Sequence, residues 1–162
     1  MQRTLAIANY FIKKSNNTIT PLQLIKLVYI AYGYTLAILN KKLFSEEIEA
    51  WQFGPVVPSV YHTFKHYKKS PITDLSTEIT FDDNFKFNEE IFTMNSEDEN
   101  YETVIQILDK VWENYQQYSG YELIDLTHKD GTPWSNIFNY DKHHIKIDDN
   151  SIKDYYKSLL AG

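Results

Sequence analysis

Residues 21–39, PLQLIKLVYIAYGYTLAIL, constrain the fold of this chain more than any other stretch. Leu22, Ile25, Tyr29, Tyr32 and Leu36 form one helical stripe, and Leu24, Leu27, Val28 and Ala31 form a second. A helix apolar on most of its circumference has to be covered from several sides, so it must be central. Thr20-Pro21-Leu22-Gln23 opens it with a capping hydroxyl, a proline at the first helical position, and a glutamine that can reach back to the cap. Gly33 in its middle costs about 1 kcal/mol against alanine, which predicts close approach of a neighbouring backbone. Asn40 is the expected helix end.

A chain of 162 residues can supply that cover, because one domain of this size buries roughly 70% of the surface its unfolded form exposes. Thirteen tyrosines offer rings to the core and hydroxyls to polar partners. There is no cysteine, which removes disulfides and thiolate chemistry and suits a reducing compartment. The N-terminus, MQRTLAIANYFIKK, has no uninterrupted apolar run of signal-peptide type, and no segment is expected to span a membrane. These features predict a cytoplasmic protein.

The remaining elements are shorter. Leu5, Ala8, Phe11 and Ile12 predict a helix over 4–14. Val60, Tyr61, Phe64 and Tyr67 predict another over 58–69, with Pro58 in its first turn. Ser96-Glu97-Asp98-Glu99 reads as a capping box for a long amphipathic helix to about 118, and Ser119-Gly120-Tyr121-Glu122 repeats the spelling for a shorter one. Thr132-Pro133 and Ser151 are expected to cap two more. Residues 47–53 alternate as an extended segment broken by Gly54-Pro55, HHIKI reads as a strand, and 79–87 as a small hairpin or a wandering excursion. The expected architecture is mainly α: a single compact helical domain over residues 1–162, of about six helices with a minor short-strand component.

Charge is unevenly placed. Residues 1–69 hold nine Lys/Arg against three acids, and residues 70–162 hold seven against nineteen. The basic half could meet nucleic acid or an acidic protein, or the two halves could attract each other.

Signatures of catalysis are sparse. Five scattered glycines do not make a phosphate-cradling loop. His62 and His66 have helical spacing but no HExxH spelling and no third ligand. His143-His144 lies in a charged loop. Asp125, Thr127, His128 and Asp130 place a histidine among acids, with Ser119 or Ser135 as conceivable nucleophiles, yet neither serine sits in a GxSxG turn. The reading favoured for His128 is a helix-terminal ring that bonds locally and fixes the turn into Pro133-Trp134. Neither an enzyme nor a cofactor or metal site is expected. Trp51, Phe53, Trp112 and Trp134 can each be core or interface.

Two segments carry a family resemblance. Residues 21–64, through AWQFGPVVP, and residues 118–134, YSGYELIDLTHKDGTPW, resemble the Panacea domain, the SocA-like antitoxin family. The matches include Leu24, Lys26, Gly33, Glu49, Trp51, Gly54, Pro55, Val56, Pro58 and Tyr61, then Leu123, Thr127, His128, Pro133 and Trp134. The link Lys129–Thr132 is slightly longer than in the pattern, and residues 72–93 match nothing in it. The resemblance implies a bacterial or prophage antitoxin that neutralises a cognate protein toxin by direct protein–protein binding, the toxin being encoded by the adjacent gene. Related members are described as adaptors that deliver a toxin to a protease, which would add a cytosolic protease as partner. No length is left for the DNA-binding region many relatives carry. The alternative, a regulatory protein binding nucleic acid through its basic half, is disfavoured. The signature or toxin-binding residues so implied are Trp51, Phe53, Gly54, Pro55, Val56, Pro58, Tyr61, Thr127, His128 and Trp134.

Overall fold

In the computed structural model, which describes residues 1–162, helix α2 (Pro21–Leu39) runs through the centre. Helices α1 (Thr4–Lys14), α3 (Pro58–Phe64), α4 (Tyr101–Tyr115), α5 (Gly120–His128) and α7 (Asp149–Ala161) all pack on it. Short α6 (Pro133–Ile137) bridges α5 and α7. The architecture is mainly α, as the apolar circumference of residues 21–39 requires. Contrary to the sequence expectation, α2 is by length and apolarity sufficient to cross a membrane. Its apolar faces are instead taken up by the surrounding helices: Leu24, Leu27, Val28, Tyr29, Ile30 and Tyr32 are fully buried.

Local chemistry sets the helix ends. The Thr20 N–H donates to Gln23 Oε1 at 3.0 Å, and Asn40 closes α2 in the left-handed conformation, φ 54°. At α5, Ser119 and Glu122 exchange backbone and side-chain bonds of 3.1 and 3.2 Å. Thr132 caps α6 by accepting from the Ser135 N–H. Three boundaries differ from expectation. Helix α4 starts at Tyr101: Asp98 takes the N-terminal amine of Met1 with one oxygen and accepts the Asn100 N–H with the other, and Glu99 pairs with Lys41, so the four residues do not close the expected box. Helix α7 is capped by Asp148, whose carboxylate accepts the Ser151 N–H. Helix α3 stops at Phe64 and tightens into a 3-10 turn, Lys65–Tyr67.

Strands β1 (Glu49–Trp51) and β2 (Gly54–Val56) form a tight antiparallel hairpin, joined on the other edge of β1 by a two-residue β5 (Ile145–Lys146). The register pairs Ala50 with Pro55 and Trp51 with Gly54. Gly54-Pro55 therefore does not break the extended segment; the chain turns one step earlier, at Gln52-Phe53, and Pro55 is tolerated on the sheet edge. Residues 77–91, read as hairpin or excursion, are a hairpin of β3 (Thr77–Phe81) and β4 (Phe87–Ile91) separate from the first sheet.

The opposite charges of the two halves meet across the fold: Arg3 pairs with Glu78, Lys14 with Asp109, Lys41 with Glu99 and Lys42 with Asp149. Such exposed pairs contribute up to ~1 kcal/mol each, so their larger effect is to use up much of the basic half. Lys13, Lys65, Lys68 and Lys69 make no ion pair.

Gly33 admits a ring and not a backbone. A Cβ there would lie 2.2 Å from Cδ2 of Tyr156, which α7 presses against α2. Gly33→Ala adds about 1 kcal/mol of helix propensity, but overpacking of a tight core costs about 1–3 kcal/mol. The expected outcome in urea unfolding is a net loss of stability, partly restored by Tyr156→Leu; a more stable Gly33→Ala would refute this packing.

Candidate functional site

Lys26 is the one charged residue in α2, and in its second turn it is only 1% exposed. Its Nζ donates to the Pro55 carbonyl at 2.8 Å, which fastens hairpin β1–β2 onto the central helix. No carboxylate pairs with it, so burial dominates and pulls the amine down to about 7. Gly54 lies directly above, with φ 113°. A Cβ at that position would stand 2.8 Å from Lys26 Nζ and 3.4 Å from Thr127 Oγ1. Glycine is required twice, once by the backbone and once by the space. Thr127, buried on α5, turns its hydroxyl to the Leu123 carbonyl at 2.8 Å and so leaves that floor flat.

The far side of the hairpin is held by α6. Trp134 Nε1 donates to the Trp51 carbonyl at 2.6 Å, and the His128 ring lies against the Trp134 indole, with centroids 5.3 Å apart. His128 thus supports the turn into Pro133-Trp134 by ring contact. The expected local hydrogen bond is absent, because its Nδ1 is buried without a partner. The conceivable triad is not assembled either. Ser119 Oγ caps α5, Ser135 Oγ donates to the Thr132 carbonyl, and Asp125 is exposed.

The solvent side of the hairpin is aromatic. Trp51, half-buried, donates from Nε1 to Glu49 Oε1 at 3.1 Å and meets Tyr61 edge-on at 4.9 Å. Phe53, at the turn, is 62% exposed. With Val56 and Tyr61, these rings line a groove of roughly 270 Å³, closed on one side by Pro21, Leu22 and Ile25 of α2. Lys26 lies at its base, and Lys65 and Lys68 stand on its rim, Lys65 Nζ 5.8 Å above the Tyr61 ring. Glu46 accepts the Ser59 N–H at 2.8 Å and anchors the start of α3, which sets where Tyr61 points. Aromatic walls under a basic rim suit an apolar side chain flanked by carboxylates.

The sequence-derived residues therefore fall into two linked groups. Trp51, Gly54, Pro55, Thr127, His128 and Trp134 meet around Lys26 and the hairpin, while Phe53, Val56 and Tyr61 face the groove with Trp51. Pro58 serves only to begin α3. Lys26 carried the resemblance but was not among the binding residues it implied; its further signal was a single charge inside nineteen otherwise uncharged residues. His62 and His66 separate onto α3 and the 3-10 turn, where His66 lies on Tyr67 and His62 near Tyr61. His144 Nδ1 sits 3.1 Å from Glu49 Oε1. No three His, Asp or Glu side chains converge as metal ligands. A larger cleft of roughly 490 Å³ beside Met1 and Lys41 contains none of the signature residues and is bordered by the Met1–Asp98 and Lys41–Glu99 pairs.

The folded-state value of Lys26, about 7, lies below the ordinary lysine value near 10.5. Between them the unfolded chain holds a proton that the folded chain lacks, so stability rises with pH across that window. The expected difference between wild type and Lys26→Met rises from pH 7 to 10 by up to about 1.4 kcal/mol per unit, read from urea midpoints. A flat difference would place the amine in water.

Comparison with known proteins adds two findings. The family described as "Antitoxin SocA-like, Panacea domain" matches residues 24–135, which hold Lys26, the hairpin, Thr127, His128 and Trp134. Antitoxin SocA of Caulobacter vibrioides (strain NA1000 / CB15N) is 28% identical over 159 residues, covering 94% of this chain and 81% of that protein. No solved structure matches.

Proposed function

We propose that this chain, which belongs to the antitoxin SocA-like Panacea family, neutralises a cognate protein toxin by direct binding, with the Trp51–Phe53–Tyr61 groove as a contact surface. The observation that supports this reading is the convergence of the residues that carry the resemblance on one place. Lys26, Gly54, Pro55, Thr127 and Trp134 hold a hairpin whose outer face is a half-open aromatic groove. Phe53 fills no core position and packs in no ring pair, so its exposure at a tightly held turn serves presentation better than folding.

Co-expression with the product of the adjacent gene is the test. Wild type is expected to rescue growth and to co-purify with that protein; a failure of both would overturn the reading. Phe53→Ala/Lys68→Glu replaces exposed side chains only, so unfolding should shift by less than about 0.5 kcal/mol. Binding should weaken about 30-fold, the effect of losing a ~2 kcal/mol anchor. The lifetime of the toxin in the same cells distinguishes blocking from delivery to a protease, since only delivery shortens it.

A further inference from the structure

Hairpin β3–β4 presents an apolar face to solvent. The register places Ile79, Phe81, Phe87 and Ile91 on one side, with Phe85 at the tip, and these five side chains are 45–88% exposed. Such a patch on a two-stranded ribbon contributes little to folding, and a ribbon of this kind is at best marginally stable alone.

Its base, however, is firmly held. Asn9, 2% exposed on α1, donates to the carbonyls of Ser76 and Phe92 at 2.9 and 3.0 Å and accepts from the Ser76 N–H at 2.8 Å. Arg3 makes a two-pronged bond to Glu78 on the opposite face, with its guanidinium 4.4 Å from the Phe92 ring centroid. A buried polar clamp thus positions an apolar surface that covers no part of the core.

The charge around that surface indicates what covers it. Residues 77–91 carry five acids and one lysine, and Arg3 answers only Glu78. Glu89 lies on the apolar face itself, Asp82 and Asp83 are at the tip, and Glu90 is on the reverse. Two copies meeting face to face would bury like charges against each other. Phosphate backbones and anionic lipids are repelled by the same sign.

We propose that the apolar face of hairpin β3–β4 is a second docking surface for the toxin, taking a patch of apolar side chains rimmed by lysine or arginine. It rests on the antitoxin reading, and its chemistry is opposite to that of the aromatic groove, where the rim is basic. Steering by the acidic rim accelerates association, while the aromatic side chains set how long the complex lasts.

The test uses the full chain and the adjacent-gene product, with Phe81→Ser/Phe87→Ser and Asp83→Lys/Glu89→Lys, folding being checked by circular dichroism and melting. The apolar variant is expected to lose at least tenfold in affinity, chiefly through faster dissociation. The charge variant should associate more slowly and lose the salt dependence expected of wild type between about 50 and 300 mM salt. Wild-type affinity in both folded variants overturns the proposal. So does a wild-type chain that sediments as a dimer and becomes monomeric with Phe81→Ser/Phe87→Ser, which would assign the face to a second copy. If wild type binds no adjacent-gene product, the antitoxin reading fails and this surface falls with it; if wild type binds and only these variants are silent, the antitoxin reading stands without it.

Discussion

The bond from Lys26 Nζ to the Pro55 carbonyl is the interaction on which the rest of this structure depends. An amine in a dry interior is expensive, and here no carboxylate offsets it. The carbonyl it holds belongs to a proline, which has no N–H, on an edge strand with only one neighbour. Tying that strand down from below fixes the height of the hairpin over α2. From this follow the glycine at 54, the buried hydroxyl of Thr127 beside it, and the Trp134 bond that holds the hairpin from the other side. With those in place, Trp51 stays half-buried, Phe53 remains in solvent, and the groove between them keeps its shape.

Much of the fold was legible in the sequence because it was written in local chemistry. Helix α2 followed from its apolar circumference and its Thr20-Gln23 start, and α5 from the Ser119–Glu122 spelling. Several of the misreadings share a cause, a partner distant along the chain, while the α7 cap and His128 were decided by close neighbours. Ser96-Glu97-Asp98-Glu99 spells a cap, but Asp98 and Glu99 are drawn to Met1 and Lys41. Gly54-Pro55 spells a break, but the turn lies at Gln52-Phe53 and Pro55 pairs with Ala50 while its carbonyl is held by Lys26. Gly33 signals a close approach without saying that the neighbour is the ring of Tyr156. His128 was expected to bond locally, whereas the position of Trp134 decides its orientation.

The site was legible in part. The aromatic and turn residues of AWQFGPVVP could be singled out by composition, and the threonine, histidine and tryptophan of the later segment by resemblance. That both segments close on one buried lysine could not be read from spacing, since it requires α2, α5 and the hairpin to meet. Hairpin β3–β4 lay outside the resemblance altogether. Its alternation was visible, but its placement depends on Asn9 of α1 and on Arg3 just before that helix, far away in sequence. The result is a molecule with two outward apolar surfaces of opposite rim charge on a core centred on α2, which suits a partner recognised by shape and charge together.

Amide hydrogen exchange on the chain alone and in complex with the adjacent-gene product tests the central claim most directly. Slowed exchange in the complex at residues 50–61, around the Lys26-anchored hairpin and the start of α3, is the expected result. A stable complex in which 50–61 exchange as in the free chain, with protection confined to α4 and α7, would contradict it.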